Sequence, residues 1–370
     1  MLNKNGLNTQ DALPNALLSP TATRNTQYAI LTWFEQNKRD LPWRNTRDPY
    51  IIWLSEIILQ QTRVEQGMPY FYRFLKNYPT VADFAAATED EILKLWQGLG
   101  YYSRGRNMHH TAQIIVKEYG GHFPTSYEIL LKLKGIGEYT AAAIASFSAD
   151  EPKAVVDGNV FRWLSRYFGI DTPINSTRGK IIFTEVANKI LDQAQPGTYN
   201  QAMMEFGSLQ CKPQNPDCKS CPLQVDCYAN RLGMTALFPV KLKTKKVRER
   251  YFNFILAQKE DSILMNKRGQ NDIWRNLYEL PLFETAEPII AEELIQTDSF
   301  KQFFGEDVRI CSVSDTIKHL LSHQKIFAQF IEIENFSEQY HNKLNWFYVS
   351  DDDLIKLAQP KLIFEFLQRN

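Results

Sequence analysis

Apolar residues recur at helical spacing early in the chain: Ile30, Leu31, Trp33 and Phe34 predict an amphipathic helix over residues 26–37. After a short loop at residues 39–44, Asp48-Pro49 supplies a capping carboxylate and a proline suited to a first helical position. Residues 51–62 (IIWLSEIILQQT) then continue as an apolar helix. The same period predicts helices over 69–78, 81–87, 90–98, 127–134, 178–192 and 200–209. In Leu133-Lys134-Gly135-Ile136-Gly137 two glycines stand where one helical pattern stops, and the strong helix formers Ala141-Ala142-Ala143 follow. That reads as helix, tight hairpin, helix. No segment of this half alternates as a strand does, so it reads as nearly all α. From residue 251 the texture changes: 252–257, 262–266, 326–333 and 346–349 have strand composition, whereas 289–296, 354–358 and 362–368 look helical. The expectation is a mainly helical domain followed by an α+β domain.

A single acid interrupts the apolar helix of residues 51–62. Glu56 stands among Ile51, Ile52, Trp53, Leu54, Ile57, Ile58 and Leu59. Burying an unpaired carboxylate is costly, and the usual response is a raised pKa that keeps it protonated. A carboxyl still neutral near pH 7 can donate a proton. The plainer alternative is a salt bridge to a neighbour such as Arg44 or Arg63. The glycine hairpin also has two readings, as an ordinary helix end or as a set of amides able to hold a phosphate at a helix N-terminus. About twenty residues on, Asp157-Gly158-Asn159 places a second carboxylate in a turn ahead of Val160, Phe161, Trp163 and Leu164. Between residues 98 and 106 glycines, Tyr101, Tyr102, Arg104 and Arg106 share one loop. It suits a wedge that enters a DNA groove, while the plainer reading is an interhelical loop with its tyrosines folded onto the core.

Charge changes the picture only through its distribution. The formal net charge is +0, but residues 231–250 hold seven Lys or Arg against one acid, and 251–370 hold twelve basic against nineteen acidic residues. Residues 232–250 therefore read as a basic connector, either a solvated linker or a phosphate-binding strap, ahead of an acidic domain. Residues 1–25 are polar and read as a mobile tail. They lack a secretory signal, and no apolar run is long enough to span a bilayer, so a soluble, intracellular (cytoplasmic) chain is expected.

Cys211, Cys218, Cys221 and Cys227 give C-x6-C-x2-C-x5-C with three prolines between them. Thiols this dense in a reducing compartment imply a metal centre over residues 211–231. Paired C-x2-C knuckles would favour zinc, and one knuckle flanked by wider gaps suits an iron–sulfur cluster; spacing leaves the choice open. Cys311, with no cysteine partner, is expected to be a small core residue.

Taken together, Glu56, the Gly-x-Gly hairpin, Asp157 and the cysteine cluster resemble the iron–sulfur branch of the helix-hairpin-helix DNA glycosylases. Within it the segments LPWR, WLSEIILQQT, GLGYYSRGRN, VVDGNV and NQAMME are similar to those of the adenine DNA glycosylases (MutY), over roughly residues 26–229. The resemblance implies a glycosylase domain over 26–210, a [4Fe-4S] cluster on the four cysteines and a Nudix-like lesion-recognition domain over 251–370. It implies removal of adenine opposite 8-oxoguanine or guanine in duplex DNA by a monomer, leaving an abasic site. Glu56 would protonate the base and Asp157 stabilise the sugar cation, with Tyr139 and Asn159 orienting the reacting centre. Arg44, Trp43 and Gln201 would line the adenine pocket; Gln61, Leu99 and Tyr101 would fill the vacated stack; Gly135 and Gly137 would hold the DNA backbone. The related endonuclease III family places a Schiff-base lysine where this chain has Tyr139, so no lyase step is expected. In the second domain the family's Phe-Ser-His tip reads Leu321-Ser322-His323, and no Nudix signature with paired glutamates follows Asn271–Pro281, so nucleotide hydrolysis is not expected.

Overall fold

The computed structural model describes residues 18–243, 247–269, 272–321, 323–338 and 346–368. The chain forms two compact units, one from residues 1–86 and 110–243 and the other from residues 87–109 and 244–370.

The first unit is helical. It contains α1 (Pro20–Asn37), α2 (Pro49–Ile58), α3 (Val64–Asn77) and α4 (Val81–Ala86). After α5 (Glu89–Leu95), which belongs to the second unit, α6 (Ser103–Tyr119) runs from one unit into the other. The first unit continues with α7 (Tyr127–Leu130), α8 (Glu138–Ala149), α9 (Gly158–Phe168), α10 (Thr177–Ile190), α11 (Pro196–Leu209) and α12 (Tyr228–Arg231). Helix α2 starts as its sequence dictates: Asp48 accepts from the Tyr50 N–H at 2.8 Å and Pro49 fills the first turn. From Ile52 to Ile58 every residue is buried, so this helix is core on all sides. Each large apolar side chain fully buried there contributes about 1.5–3 kcal/mol. Helix α11 packs on α1, α8 and α9, around a core that includes Ile30, Phe34, Trp163, Phe183, Tyr199 and Phe206.

Several boundaries differ from the sequence expectation. Helix α1 begins at Pro20, because Ser19 caps it by accepting from the Ala22 N–H; residues 20–25 are therefore helix, not tail, while residues 1–17 lie outside the described residues. Helix α3 runs through Pro69 instead of starting there, anchored by buried Phe71 and Phe74. Arg104 and Arg106, expected in a loop, lie in the first turn of α6. Residues 87–109, assigned from sequence to the first domain, belong to the second unit.

The second unit carries β1 (Arg248–Lys259), β2 (Ser262–Lys267), β3 (Tyr278–Glu279), β4 (Leu282–Thr285), β5 (Arg309–Val313), β6 (Ile317–Leu320), β7 (Gln324–Glu334) and β8 (Trp346–Ser350). Its helices beyond α5 are α13 (Ala291–Ile295), α14 (Asp298–Phe304), α15 (Asp351–Leu354) and α16 (Lys361–Leu367). The sheet order is β3-β2-β1-β7-β5, with β1 and β7 parallel from Arg248 opposite Gln324 to Ala257 opposite Ile333. Alternate residues of β1 feed two cores: Phe252, Phe254 and Leu256 meet Leu362 and Ile363 of α16, and Ile255 and Ala257 meet Leu294, Phe300 and Phe304. Burial on both faces explains why residues 254–257 read as an apolar run, with buried Asn253 as the one polar residue among 252–257.

The basic connector ends sooner than expected, since residues 248–250 are already strand, and Lys245 and Lys246 lie outside the described residues. Arg250 is buried and paired with Asp272 and Glu284 (2.6 and 2.5 Å), so it is no part of a phosphate strap. Helix α15 starts before the expected 354–358 helix, because Ser350 caps its N-terminus and accepts from the Asp353 N–H at 3.3 Å, and it ends at Leu354. Cys311 is exposed on the edge strand β5, correcting the expectation of a core thiol.

Candidate active site

The apolar wall of α2 delivers Glu56 to a buried position, 7 % exposed. Its hydrogen-bond partner is neither Arg44 nor Arg63: Tyr139 Oη, from the first turn of α8, donates to Glu56 Oε2 at 2.6 Å. Helix α8 is held against the turn after α2 by Gln60 Nε2 donating to Thr140 Oγ1 at 3.2 Å. Burial pushes the Glu56 carboxyl up to about 7; the Tyr139 hydrogen bond and Arg44 draw it down, and Asp157 raises it further. Asp157 is thus near enough to repel Glu56. Burial, with Glu56 and Asp157 beside it, also pushes the Tyr139 phenol well above its ordinary range, so it stays a donor.

Asp157 is the N-cap of α9. Its Oδ1 accepts from the Asn159 and Val160 N–H groups at 2.9 and 2.8 Å, and its Oδ2 from Asn159 Nδ2 at 2.6 Å. Burial raises this carboxyl, while those three donors and Arg162 act against the rise. Arg162 continues the chain of contacts: it donates to Asn159 Oδ1 (2.8 Å) and to the Cys211 carbonyl (2.8 Å).

Two residues that the pattern did not single out shape this corner. Asn200 is buried and accepts from the Val155 N–H while donating to the Lys153 carbonyl, which pins the segment leading to Asp157 against α11. Gly207 lets α11 lie directly on the α9 cap, for a Cβ there would sit 2.5 Å from the Asn159 carbonyl oxygen. Gly207→Ala is expected to lose about 1–3 kcal/mol of stability by overpacking and, by displacing Asn159, to slow base release; thermal melting and single-turnover kinetics check both.

Arg44 is turned to another acid. It forms a fork on Glu205 at 3.1 and 2.9 Å, and Arg39 forms a second fork at 2.9 and 2.6 Å. Glu205, the last residue of NQAMME, is fully buried; burial opposes its ionisation, yet the two arginines bring its carboxyl down to about 2. Trp43 is buried edge-on against Phe71, and Gln201 is half-buried on α11. Gln61 is exposed in the turn after α2 at φ +56°, a strained conformation for a non-glycine residue. Gly135 uses its freedom at φ +81°, and Gly137 caps α8; both are exposed. Gly137 and Tyr139 line one groove of about 900 Å³ with Lys153 and Lys180.

Leu99, Tyr101 and His323 belong to the second unit, where they line one cavity of about 640 Å³ with Trp274 and His319. Tyr101 is 50 % exposed, but Leu99 is only 5 % exposed. Tyr102 is buried and donates to the Gln359 carbonyl, so it is no exposed wedge. Arg104 and Arg106 face inward, Arg104 over Trp96 and Tyr101 and Arg106 donating to the Arg275 carbonyl. His323 is exposed at the β6–β7 turn; Ser322 lies outside the described residues.

The four cysteines carry free thiols and line a small cavity of about 30 Å³. Among the described residues no three His, Cys, Asp or Glu side chains gather closely enough to hold a single metal ion. Buried Arg166 donates to Cys211 Sγ at 3.4 Å and to the carbonyls of Lys212 and Pro213 at 2.7 and 3.0 Å. No described helix is long and apolar enough to cross a membrane.

Known proteins resemble both parts of the chain. Residues 54–186 match the HhH-GPD superfamily of base excision DNA repair proteins, and residues 253–369 match the NUDIX domain. The adenine DNA glycosylase of Buchnera aphidicola (subsp. Acyrthosiphon pisum) is 32 % identical over 344 residues, 92 % of this chain and 97 % of that protein. The human adenine DNA glycosylase is 42 % identical over 212 residues, 55 % of this chain and 39 % of that protein. A solved thermostable thymine-DNA glycosylase superposes with a TM-score of 0.53 at 28 % identity, covering 57 % of this chain and 97 % of that one. The chain therefore belongs to the adenine DNA glycosylase family, within the helix-hairpin-helix superfamily of base excision repair proteins.

Proposed function

We propose that this chain hydrolyses the N-glycosidic bond of adenine mispaired with 8-oxoguanine or guanine in duplex DNA and leaves an abasic site. The observation that carries the reading is a buried acid with its pKa near 7, Glu56, set beside a second carboxylate, Asp157. Tyr139 occupies Glu56 Oε2 as a donor, which leaves Oε1 to carry the proton. That proton passes to a ring nitrogen of the flipped adenine, and the C–N bond breaks as the base leaves with the electron pair. Asp157, its oxygens oriented by three N–H donors, stabilises the sugar cation. Glu56, now ionised, accepts a proton from the attacking water and returns to its starting state. Asn159 holds Asp157 in place, Arg44 and Gln201 line the base pocket with Trp43 behind, and exposed Gln61 fills the stack that the nucleotide leaves. Gly135 and Gly137 offer exposed backbone to DNA phosphates. With a phenol at position 139, a covalent imine has no amine to start from there. Ser322 and His323 of the NUDIX domain would meet the lesion base, and the protein would act as a monomer inside the cell.

A single-turnover assay on 8-oxoguanine:adenine and guanine:adenine duplexes should show release of free adenine, with no protein–DNA adduct on borohydride treatment. Release of oxidised pyrimidines with a trapped adduct would overturn the reading.

Cys211, Cys218, Cys221 and Cys227 would hold a [4Fe-4S] cluster. The donor set fits: four free thiols surround a cavity instead of closing on a point, with the Arg166 cation beside them. When bound, the cluster supplies a cross-link that fixes residues 211–227, whose Cys211 carbonyl receives Arg162. Protein purified without oxygen should contain iron and acid-labile sulfide in equal amounts, and Cys221→Ser should lose both and melt several degrees lower. Stoichiometric zinc in place of iron would reject the cluster.

A further inference from the structure

Glu205 has the features of a structural ion pair and one feature that such a role does not require. Its side chain is wholly buried on α11, its two oxygens take two guanidinium forks, and the Arg39 N–H adds a further bond at 2.9 Å. The forks do more than neutralise a charge. Arg44 also bears on Glu56, and the turn that carries it packs against α2. A guanidinium is a planar set of donors that grips any carboxylate within reach in two-toothed fashion. Two acids thus bear on one guanidinium, and its hydrogen bonds go to Glu205 and to the Arg39 carbonyl (3.0 Å), none to Glu56.

We infer that Glu205 is a positioning residue for base release: by holding Arg44 in a fork, it keeps that guanidinium off Glu56, so that Glu56 retains the proton it must donate. The groups that bear on Glu56 are Tyr139 from α8, Asp157 from the α9 cap and Arg44 from the turn before α2, while Glu65 of α3 bears on Arg39. Tyr139 already donates to one Glu56 oxygen and Asp157 repels it, which leaves Arg44 as the cation whose direction decides between acid and anion. In a Glu205→Gln protein the Arg44 charge is uncompensated and turns toward Glu56, which then ionises at lower pH.

This inference rests on the reading of Glu56 as proton donor, and two readouts keep the two apart. The first is the pH dependence of single-turnover adenine release; the second is the infrared carbonyl band of the protonated Glu56 carboxyl, assigned by its absence in Glu56→Gln. Glu205→Gln should move the alkaline limb of activity and the loss of the infrared band together, to lower pH by about one unit. The double variant Glu205→Gln with Arg44→Met should return both toward the wild-type position. Should Glu205→Gln not fold, Arg44→Lys serves instead: Arg39 still neutralises Glu205, but an ammonium cannot hold both oxygens in a fork, and the same acid-ward movement is expected. A uniform loss of rate at every pH with the band unmoved would overturn the inference and leave Glu205 a structural pair. A band that moves while the activity limb stays in place would uphold the Glu205 effect and reject Glu56 as the donor.

Discussion

Glu56→Gln is expected to lower single-turnover adenine release by about 10²–10⁴-fold, the range supplied by a positioned general acid, while binding of an 8-oxoguanine:adenine duplex stays within a few-fold of wild type. The amide keeps the shape of the side chain, and its oxygen still accepts from Tyr139 Oη, so the pocket should not collapse. What it lacks is a proton to give. The same variant carries a stability signature of opposite sign. The native carboxyl titrates near 7 against an ordinary value of 4.5, so between those values the folded chain holds a proton that the unfolded chain has lost. Wild-type stability therefore falls as pH rises through that window, by about 3 kcal/mol at most. Glu56→Gln removes the slope: it should melt above wild type at pH 8 and level with it near pH 4. Retained base release would reject the proton-donor role, and a melting difference independent of pH would reject the raised carboxyl.

Asp157→Asn is expected to cost about 10²–10³-fold in the same assay, as removal of a preorganised electrostatic stabiliser commonly does. The substitution leaves the helix cap largely intact, because the asparagine oxygen can still accept from the Asn159 and Val160 N–H groups. Its amide would face Asn159 Nδ2, donor against donor, at a stability cost of about 1 kcal/mol. A second consequence separates this residue from a simple cap. Asp157 helps to raise Glu56, so with that charge removed the residual activity should lose its alkaline limb at lower pH than wild type. A profile with an unmoved limb would mean that the two carboxyls do not share a site.

The chemistry of the first unit was legible because it breaks local rules. An acid inside an apolar helix and a carboxylate at a helix start are both conspicuous: Glu56 is buried within α2, and Asp157 caps α9. The partner of Glu56 was not legible, since a helical period cannot tell Tyr139 from Arg44 or Arg63 as the group facing it. Glu205 was hidden for a related reason: within NQAMME it looks like one polar residue of an amphipathic helix, and only the approach of Arg39 and Arg44 from 166 and 161 positions away gives it a role. Gly207 likewise carries no local signal, because its cause is the close pass of Asn159. In the second unit the strands β3 to β6 are only two to five residues long, too short for composition alone to mark them. Residues 87–109 were assigned to their neighbours in the chain, but contact, not adjacency, decides which unit a helix joins.

That last feature bears on how the polypeptide is made. Tyr102 must wait for Gln359, 257 positions later, and Arg106 for Arg275, 169 positions later. While the ribosome is still working through the intervening stretch, the inner faces of α5 and the start of α6 have no partners of their own unit, so they emerge as a transiently bare apolar surface. Premature termination before Gln359 would make that exposure permanent, a cost of where the two halves of the second unit lie along the chain.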